Sequence, residues 1–390
     1  MSGNDATVTT PVPLLDVSRS NSPIRDEVLA AIAEVYDSGR FLFGPPVQQL
    51  EQECANISNT QYAAGCASGS DALLLSLMAL GIGPGDEVIC PSFSFFATAS
   101  CVSRLGANIV FADVDPNTYN IDPADFEAKV TTRTRAVIPV HLFGQSAAMD
   151  RVCSIAAQHE IPVVEDAAQA IGAAYHGRPV GSWGQVGCIS FYPTKNLGGF
   201  GDGGMLVSNS EILIDRLRLL SGHGMRPRYY HSEVGINSRL DSFQAAGLMV
   251  KIGHLNSYTS SRRQNAQTYK RMLGESSLLG EQIELPYEDP AAFHVWNQFS
   301  LRVTGGRRDA LRAHLQSQQI GSEIYYPIPL HQQECYRDLG YQRGSLPHTE
   351  NASEEILHLP IFPELRESEQ EAVVSCIREF YDQQSARRAA

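Results

Sequence analysis

The chain has 390 residues, 43% hydrophobic and 19% charged, as expected of a globular protein that buries its core without disulfide or metal staples. Its formal charge of −13 argues against a nucleic-acid partner, which needs a basic face, while leaving room for a local anion site. No apolar run reaches the ~18 residues of a membrane span, and Met1 to Pro13 lacks the apolar core of a secretory signal, so the expected location is cytoplasmic.

Ser22 to Asp37 has the periodicity of an amphipathic helix stopped at Gly39, and a loop and second helix follow in FLFGPPVQQLEQECANI. Tyr62 to Ala67 is a short strand. Asp71 to Leu80 is a helix halted by Gly81, Gly83 and Pro84. An alternation follows: strand at Val88-Ile89-Cys90, helix at Ala97 to Leu105, strand at Asn108 to Ala112, helix at Pro123 to Lys129, strand at Ala136 to Val140, helix at Met149 to His159, and strand from Pro162 into Glu165-Asp166. Strands at Gly187 to Phe191 and Gly204 to Val207 and a helix at Glu211 to Leu220 continue it. These are βαβ units, and they predict an α/β fold with a mostly parallel central sheet covered by helices on both faces. A loop rich in Gly, Arg and Tyr leads to a long helical stretch, Asp241 to about Leu273, and then to a smaller C-terminal α/β unit. The division expected is an arm over 1–24, a large domain over 25–258 and a small domain over 259–390. Gln383 to Ala390 reads as a frayed tail.

The eight cysteines (54, 66, 90, 101, 153, 188, 335 and 376) show no C-x-x-C pair and no metal-ligand spacing. Most lie in apolar runs, as reduced core thiols do. Four lysines occur, at 129, 195, 251 and 270. Lys129, Lys251 and Lys270 have polar helical neighbours and fit the solvent-facing default. Lys195 does not: it follows an apolar strand in GCISFYPTKNLGGFGDGG, among aromatic residues and five glycines that would let backbone approach a flat ligand. A walled-in lysine loses its charge readily, which suits Schiff-base chemistry.

Open α/β sheets bind ligands at the carboxyl ends of their strands, and two further ends carry suggestive groups. In CASGSDALLLSLMAL a strand runs into Gly69, and Ser70 and Asp71 open a helix whose free N–H groups favour a phosphate, although an ordinary N-cap reads the same way. In IPVVEDAAQA, Asp166 follows a strand directly, as a helix cap or as a functional carboxylate, with Gln169 one turn on. The Walker pattern is absent, and the G-x-G-x-x-G fingerprint of dinucleotide binding is not found after a first strand.

These segments, with FADVDPNTYNID, IPVHLFGQSAAMD and GINSRLDSFQAA, resemble the DegT/StrS family of sugar aminotransferases from about Pro13 to Pro363. The resemblance implies the aspartate-aminotransferase fold (fold type I), a homodimer with shared active sites, and pyridoxal 5′-phosphate as cofactor, cycling through pyridoxamine phosphate. It implies that Lys195 carries the cofactor as a Schiff base and Asp166 pairs with its ring nitrogen. Gln169 would lie near the 3-hydroxyl, Phe95 would stack on the ring, and Ser190 with Gly69, Ser70 and Asp71 would cradle the phosphate. Asn237 and Arg239 would reach the phosphate from the partner subunit.

FYPTKNLGGFGDGG is closer to family members acting on C3 of the sugar than to those acting on C4, so a dTDP- or UDP-linked 3-keto hexose is the expected acceptor, with glutamate as donor. Arg226, Arg228, Tyr229, Tyr326 and His331 are candidates for the nucleotide diphosphate, each equally readable as an ordinary loop residue. His141 reads as a supporting or simply a satisfied buried histidine. A 4-keto acceptor and a non-catalytic regulator or sugar sensor on the same fold are the alternatives. A third, the family's dehydratases, carries His at the lysine position and is disfavoured by Lys195.

Overall fold

The computed structural model describes residues 11–275 and 278–389, with side chains described to residue 383. Part of the expected N-terminal arm, residues 1–10, lies outside the described residues. Seven strands build the main sheet: β1 (Tyr62–Cys66), β2 (Glu87–Pro91), β3 (Asn108–Ala112), β4 (Thr134–Val137), β5 (Val164–Asp166), and, after a small hairpin of β6 (Ala174–Tyr175) and β7 (Arg178–Pro179), β8 (Val186–Ser190) and β9 (Gly204–Ser208). One ladder runs β1-β9-β8-β5 and another β3-β2-β4. Parallel bridges Val137↔Val163 and Val140↔Asp166 join them into the order β1-β9-β8-β5-β4-β2-β3. Only β9 runs antiparallel to its neighbours. The sheet is thus mostly parallel, and β2, β8 and β9 are buried along their whole length, as strands covered on both faces must be.

The helix Gly69–Ala79 is apolar on nearly every side and buries Ala72, Leu73, Leu74, Leu75 and Leu77, so it is a core helix rather than an amphipathic one. It packs on β8 and β9 and against the helices Ala97–Arg104 and Glu211–Ser221. The first long helix spans Arg25–Ser38 and ends on Gly39 at φ 65°, a left-handed position that glycine adopts without a Cβ clash. The expected stretch 241–273 is two helices, Ser242–Ile252 and Leu255–Gly274, broken at Gly253-His254. The second runs through the expected 258/259 division. Its Leu255 belongs to the apolar cluster beneath the sheet, while Ala266, Tyr269, Met272 and Leu273 belong to a separate cluster built on Trp296, Phe299 and Phe362. That second cluster also takes in the antiparallel ladder of β10 (Ile283–Glu284), β12 (Phe299–Val303) and β13 (Ile356–Leu359); β11 (Ala292–Phe293) pairs with β6 instead. Of the segment read as a frayed tail, residues 383–389 continue the helix Glu367–Ala389, and residue 390 lies outside the described residues.

Candidate active site

β5 and β8 are parallel neighbours, with Asp166 level with Cys188. Their carboxyl ends therefore open on the same edge of the sheet, bringing Asp166, Ser190 and the Lys195 loop together. The Asp166 carboxylate is 5% exposed. Thr98 Oγ1 donates to its Oδ2 at 2.8 Å and the Ala168 N–H to its Oδ1 at 3.2 Å. Burial raises its pKa above the ordinary carboxylate value, with those two bonds and the positive Lys195 only partly opposing the rise. No cation is hydrogen-bonded to it among the described residues. No helix follows β5; residues 167–173 fold as turns, so Asp166 is not a helix cap.

Lys195 is half-buried, and burial lowers its pKa to about 8 although Asp166 pulls the other way. No hydrogen bond or ion pair holds its amine among the described residues. The two groups thus feel each other's charge without touching, which leaves room between a weakly basic amine and an uncompensated buried acid.

The anion cradle is assembled by close packing. Ser190 lies so near Gly69 that a Cβ there would sit 2.7 Å from the serine Cβ. The helix begins at Gly69 with Ser68 as its N-cap, whose hydroxyl accepts the Asp71 N–H at 3.1 Å. This corrects the expectation for Asp71, whose N–H is already engaged. Gly69 and Ser70 keep N–H groups with no partner among the described residues.

Phe95 is 58% exposed, with its ring 6.3 Å from that of Tyr326. Tyr326, nominated only as a nucleotide contact, is part of the inner site: Gln169 Nε2 donates to its hydroxyl at 3.4 Å, and burial, then Asp166, push its phenol up. Gln169 Oε1 accepts the N–H of Phe143 at 2.6 Å, a residue held at φ 59°. His141 is a satisfied buried histidine, with Nε2 3.0 Å from Glu165 and Nδ1 accepting the Ala147 N–H. Glu165 also gathers the N–H groups of Gly181, Trp183 and Gly184, each at 2.7 Å, and so fixes the strand that carries Asp166.

The expectations for His331 and Lys251 are corrected. His331 is 2% exposed, with Nδ1 2.7 Å from Ser92 and Nε2 3.2 Å from Glu350, and has no nitrogen left for a substrate. Arg226, Arg228 and Tyr229 stand exposed on the 222–238 loop. Arg226 lies 3.8 Å from Asp215 and Arg228 lies over the Tyr229 ring. Within the chain, Arg239 Nε donates to Asn237 Oδ1 at 2.8 Å. The glycines after Lys195 serve the protein's own packing: a Cβ on Gly198 would meet the Pro193 carbonyl at 2.3 Å, and one on Gly204 the Ser68 backbone at 2.5 Å. Lys251 is not on the surface; it is 5% exposed and its amine donates to the Gly198 carbonyl. Lys129 and Lys270 are partly buried in ion pairs with Asp125 and Glu288. Thr98, Glu165 and Lys251 carry no motif, so spacing alone could not have nominated them.

This donor set fits pyridoxal phosphate. The orphaned buried Asp166 suits a protonated ring nitrogen, Lys195 suits an aldehyde carbon, Phe95 offers a ring face, and Gly69, Ser70 and Ser190 suit a phosphate. Among the described residues there is no cluster of His, Cys, Asp or Glu able to hold a metal and no helix long and apolar enough to cross a membrane.

A "pleiotropic regulatory protein" of Geobacillus stearothermophilus is 48% identical to this chain, covering 95% of it and 98% of the relative. A UDP-N-acetyl-3-dehydro-alpha-D-glucosamine 3-aminotransferase of Acidithiobacillus ferrooxidans is 44% identical, with the same coverage of each. The crystal structure of DesV from S. venezuelae in complex with a ketimine intermediate superposes with a TM-score of 0.91 at 43% identity, over 95% of this chain and 99% of that one. Solved neighbours include one with pyridoxamine phosphate bound. The DegT/DnrJ/EryC1/StrS aminotransferase family matches residues 22–378, and the chain belongs to it.

Proposed function

We propose that this chain is a pyridoxal-phosphate aminotransferase that converts a dTDP- or UDP-linked 3-keto sugar to the 3-amino sugar, with glutamate as donor and ping-pong kinetics. The observation that carries it is the pairing at one sheet edge of Asp166, a buried acid lacking a cation, with Lys195, an amine of lowered basicity. The names of the 3-aminotransferase relatives support C3 as the position of transfer. The regulatory name of the Geobacillus relative keeps a non-catalytic reading in view, and the intact Lys195 and Asp166 favour catalysis over it.

Pyridoxal phosphate supplies an electron sink for the pair released when a Cα–H bond breaks. Asp166 holds the proton on the ring nitrogen through a charge-assisted hydrogen bond. Thr98 and Ala168 keep that carboxylate aimed. Gly69, Ser70 and Ser190 hold the phosphate, and Phe95 and Tyr326 wall the ring and exclude water. The Lys195 amine would hold the aldehyde of the cofactor, and its lowered basicity suits it to move a proton at the Cα of the donor. Asn237 and Arg239 complete the cradle of a second copy in a homodimer, and Arg226, Arg228 and Tyr229 face that copy's sugar nucleotide. The exposure of Arg226, Arg228, Tyr229 and Asn237 supports this arrangement.

The test is a panel of 3-keto and 4-keto nucleotide sugars offered with glutamate, with products read by mass and NMR. The purified protein is expected to absorb near about 420 nm, to bleach with glutamate, and to aminate C3. Lys195→Ala is expected to abolish absorbance and turnover together. Amination at C4, or colour unchanged by every donor, would overturn the reading.

A further inference from the structure

A buried lysine without a carboxylate partner is rare, because its ammonium must leave water uncompensated. Lys251 comes close to this: among the described residues it joins no ion pair, the Glu364 carboxylate supports its charge only from beyond contact, and its amine donates to one backbone carbonyl, that of Gly198, three residues after Lys195. The Phe200 ring lies 5.4 Å from the same amine. Along the same helix, Ser242–Ile252, Gln244 accepts the Phe200 N–H at 2.8 Å. The Gln244 side-chain amide also occupies the space beside Gly199 and Gly201, where added Cβ atoms would meet it at 2.9 and 3.0 Å. Gly247, between them, is where the Phe200 ring seats: a Cβ there would lie 2.3 Å from the ring. Residues 244, 247 and 251 recur at helical spacing, so they form one face. That face grips the segment after Lys195 at three successive points. On its other side, Asn196 is tied to the Val295 carbonyl and to Asn297 at 3.0 and 2.9 Å.

We propose that the Gln244–Gly247–Lys251 face is a clamp that aims the Lys195 amine, with Lys251 as a positioning residue. The proposal rests on the role of Lys195 given above but is tested on the protein itself. An amine held in place can lose up to about a hundredfold in rate when misplaced by about 1 Å. Releasing the Gly198 carbonyl frees the turn that carries Lys195 and lets water reach its amine.

The experiment is competitive labelling of cofactor-free protein with acetic anhydride, read for the Lys195 peptide by mass spectrometry across pH, on wild type, Lys251→Met and Gln244→Ala. Both variants are expected to move the Lys195 labelling midpoint upward, toward that of an ordinary lysine, by about half a pH unit or more, the direction that greater solvation dictates. In cofactor-loaded protein the donor-driven bleaching rate is expected to fall about tenfold or more in Lys251→Met, with KM for the keto sugar within about threefold. An unshifted Lys195 midpoint in the folded Lys251→Met protein overturns the clamp. If that variant does not fold, an unshifted midpoint in Gln244→Ala does so. A wild type that neither colours nor bleaches would count against the proposed function and leave the labelling result standing on its own.

Discussion

Replacing Asp166 by Asn separates a catalytic carboxylate from a structural one. The amide keeps one oxygen, so it can still accept from Thr98 Oγ1 at 2.8 Å or from the Ala168 N–H at 3.2 Å, but not from both while also facing a ring nitrogen. What it cannot do is hold a proton on that nitrogen by opposite charge. A hydrogen bond to a charged group contributes about 1.5–3 kcal/mol. Lost in the transition state, that is roughly a 10- to 150-fold fall in the rate of the donor half-reaction, with the loss of the ring proton adding to it. Stability should move the other way. Burial raises the Asp166 pKa in the cofactor-free protein, so the folded state favours the proton. That preference stabilises the fold at acid pH and is lost as pH rises through the raised folded value. The cofactor-free Asn variant should therefore melt no lower than wild type at neutral pH. The assay is stopped-flow bleaching with glutamate, alongside thermal melts of both proteins without cofactor. A half-reaction within about threefold of wild type, or a variant that melts well below it, would mean that Asp166 is a structural acid.

Gly198→Ala tests the loop from the steric side: a Cβ 2.3 Å from the Pro193 carbonyl forces the Lys195 turn apart, so absorbance of the bound cofactor should fall sharply while the circular dichroism of the fold persists. Glu369 gives a pH prediction away from the site. Burial alone would raise its carboxyl, but hydrogen bonds from Arg19 and Arg366 outweigh burial and hold it at about 2. A depressed acid stabilises above its unfolded value of 4.5, and that contribution fades as pH falls from there toward about 2. Denaturant titrations of wild type and Glu369→Gln should therefore differ at neutral pH and converge in acid; an equal gap at both would show that the ion pair is not the cause.

The alternation of strands and helices, and with it the parallel character of the sheet, was legible because fully buried strands and core helices have different periods and stops. Asn108–Ala112 falls where the apolar run places it. The reversal of β9 was not legible, since an apolar five-residue strand reads alike in either direction. The break at Gly253-His254 was missed because apolar residues continue on both sides of it.

Within the site, Lys195 stood out by its neighbours, and Asp166 by following a strand directly. Their meeting follows from β5 and β8 being adjacent, which is a matter of strand order and not of spacing. Lys251 fits the solvent-facing default of lysines in sequence, although its neighbours Met249, Val250 and Ile252 are apolar, and it lies buried because the helix that carries it turns that face onto the Lys195 loop. His331 was read as available, and Ser92 and Glu350, distant in sequence, occupy both its nitrogens. The sequence by itself determined which residue types were present at strand ends and what chemistry they allow. The tertiary structure alone decided which of them keep a free donor or acceptor, because hydrogen-bond partners and exclusion of water come from elements that are remote along the chain.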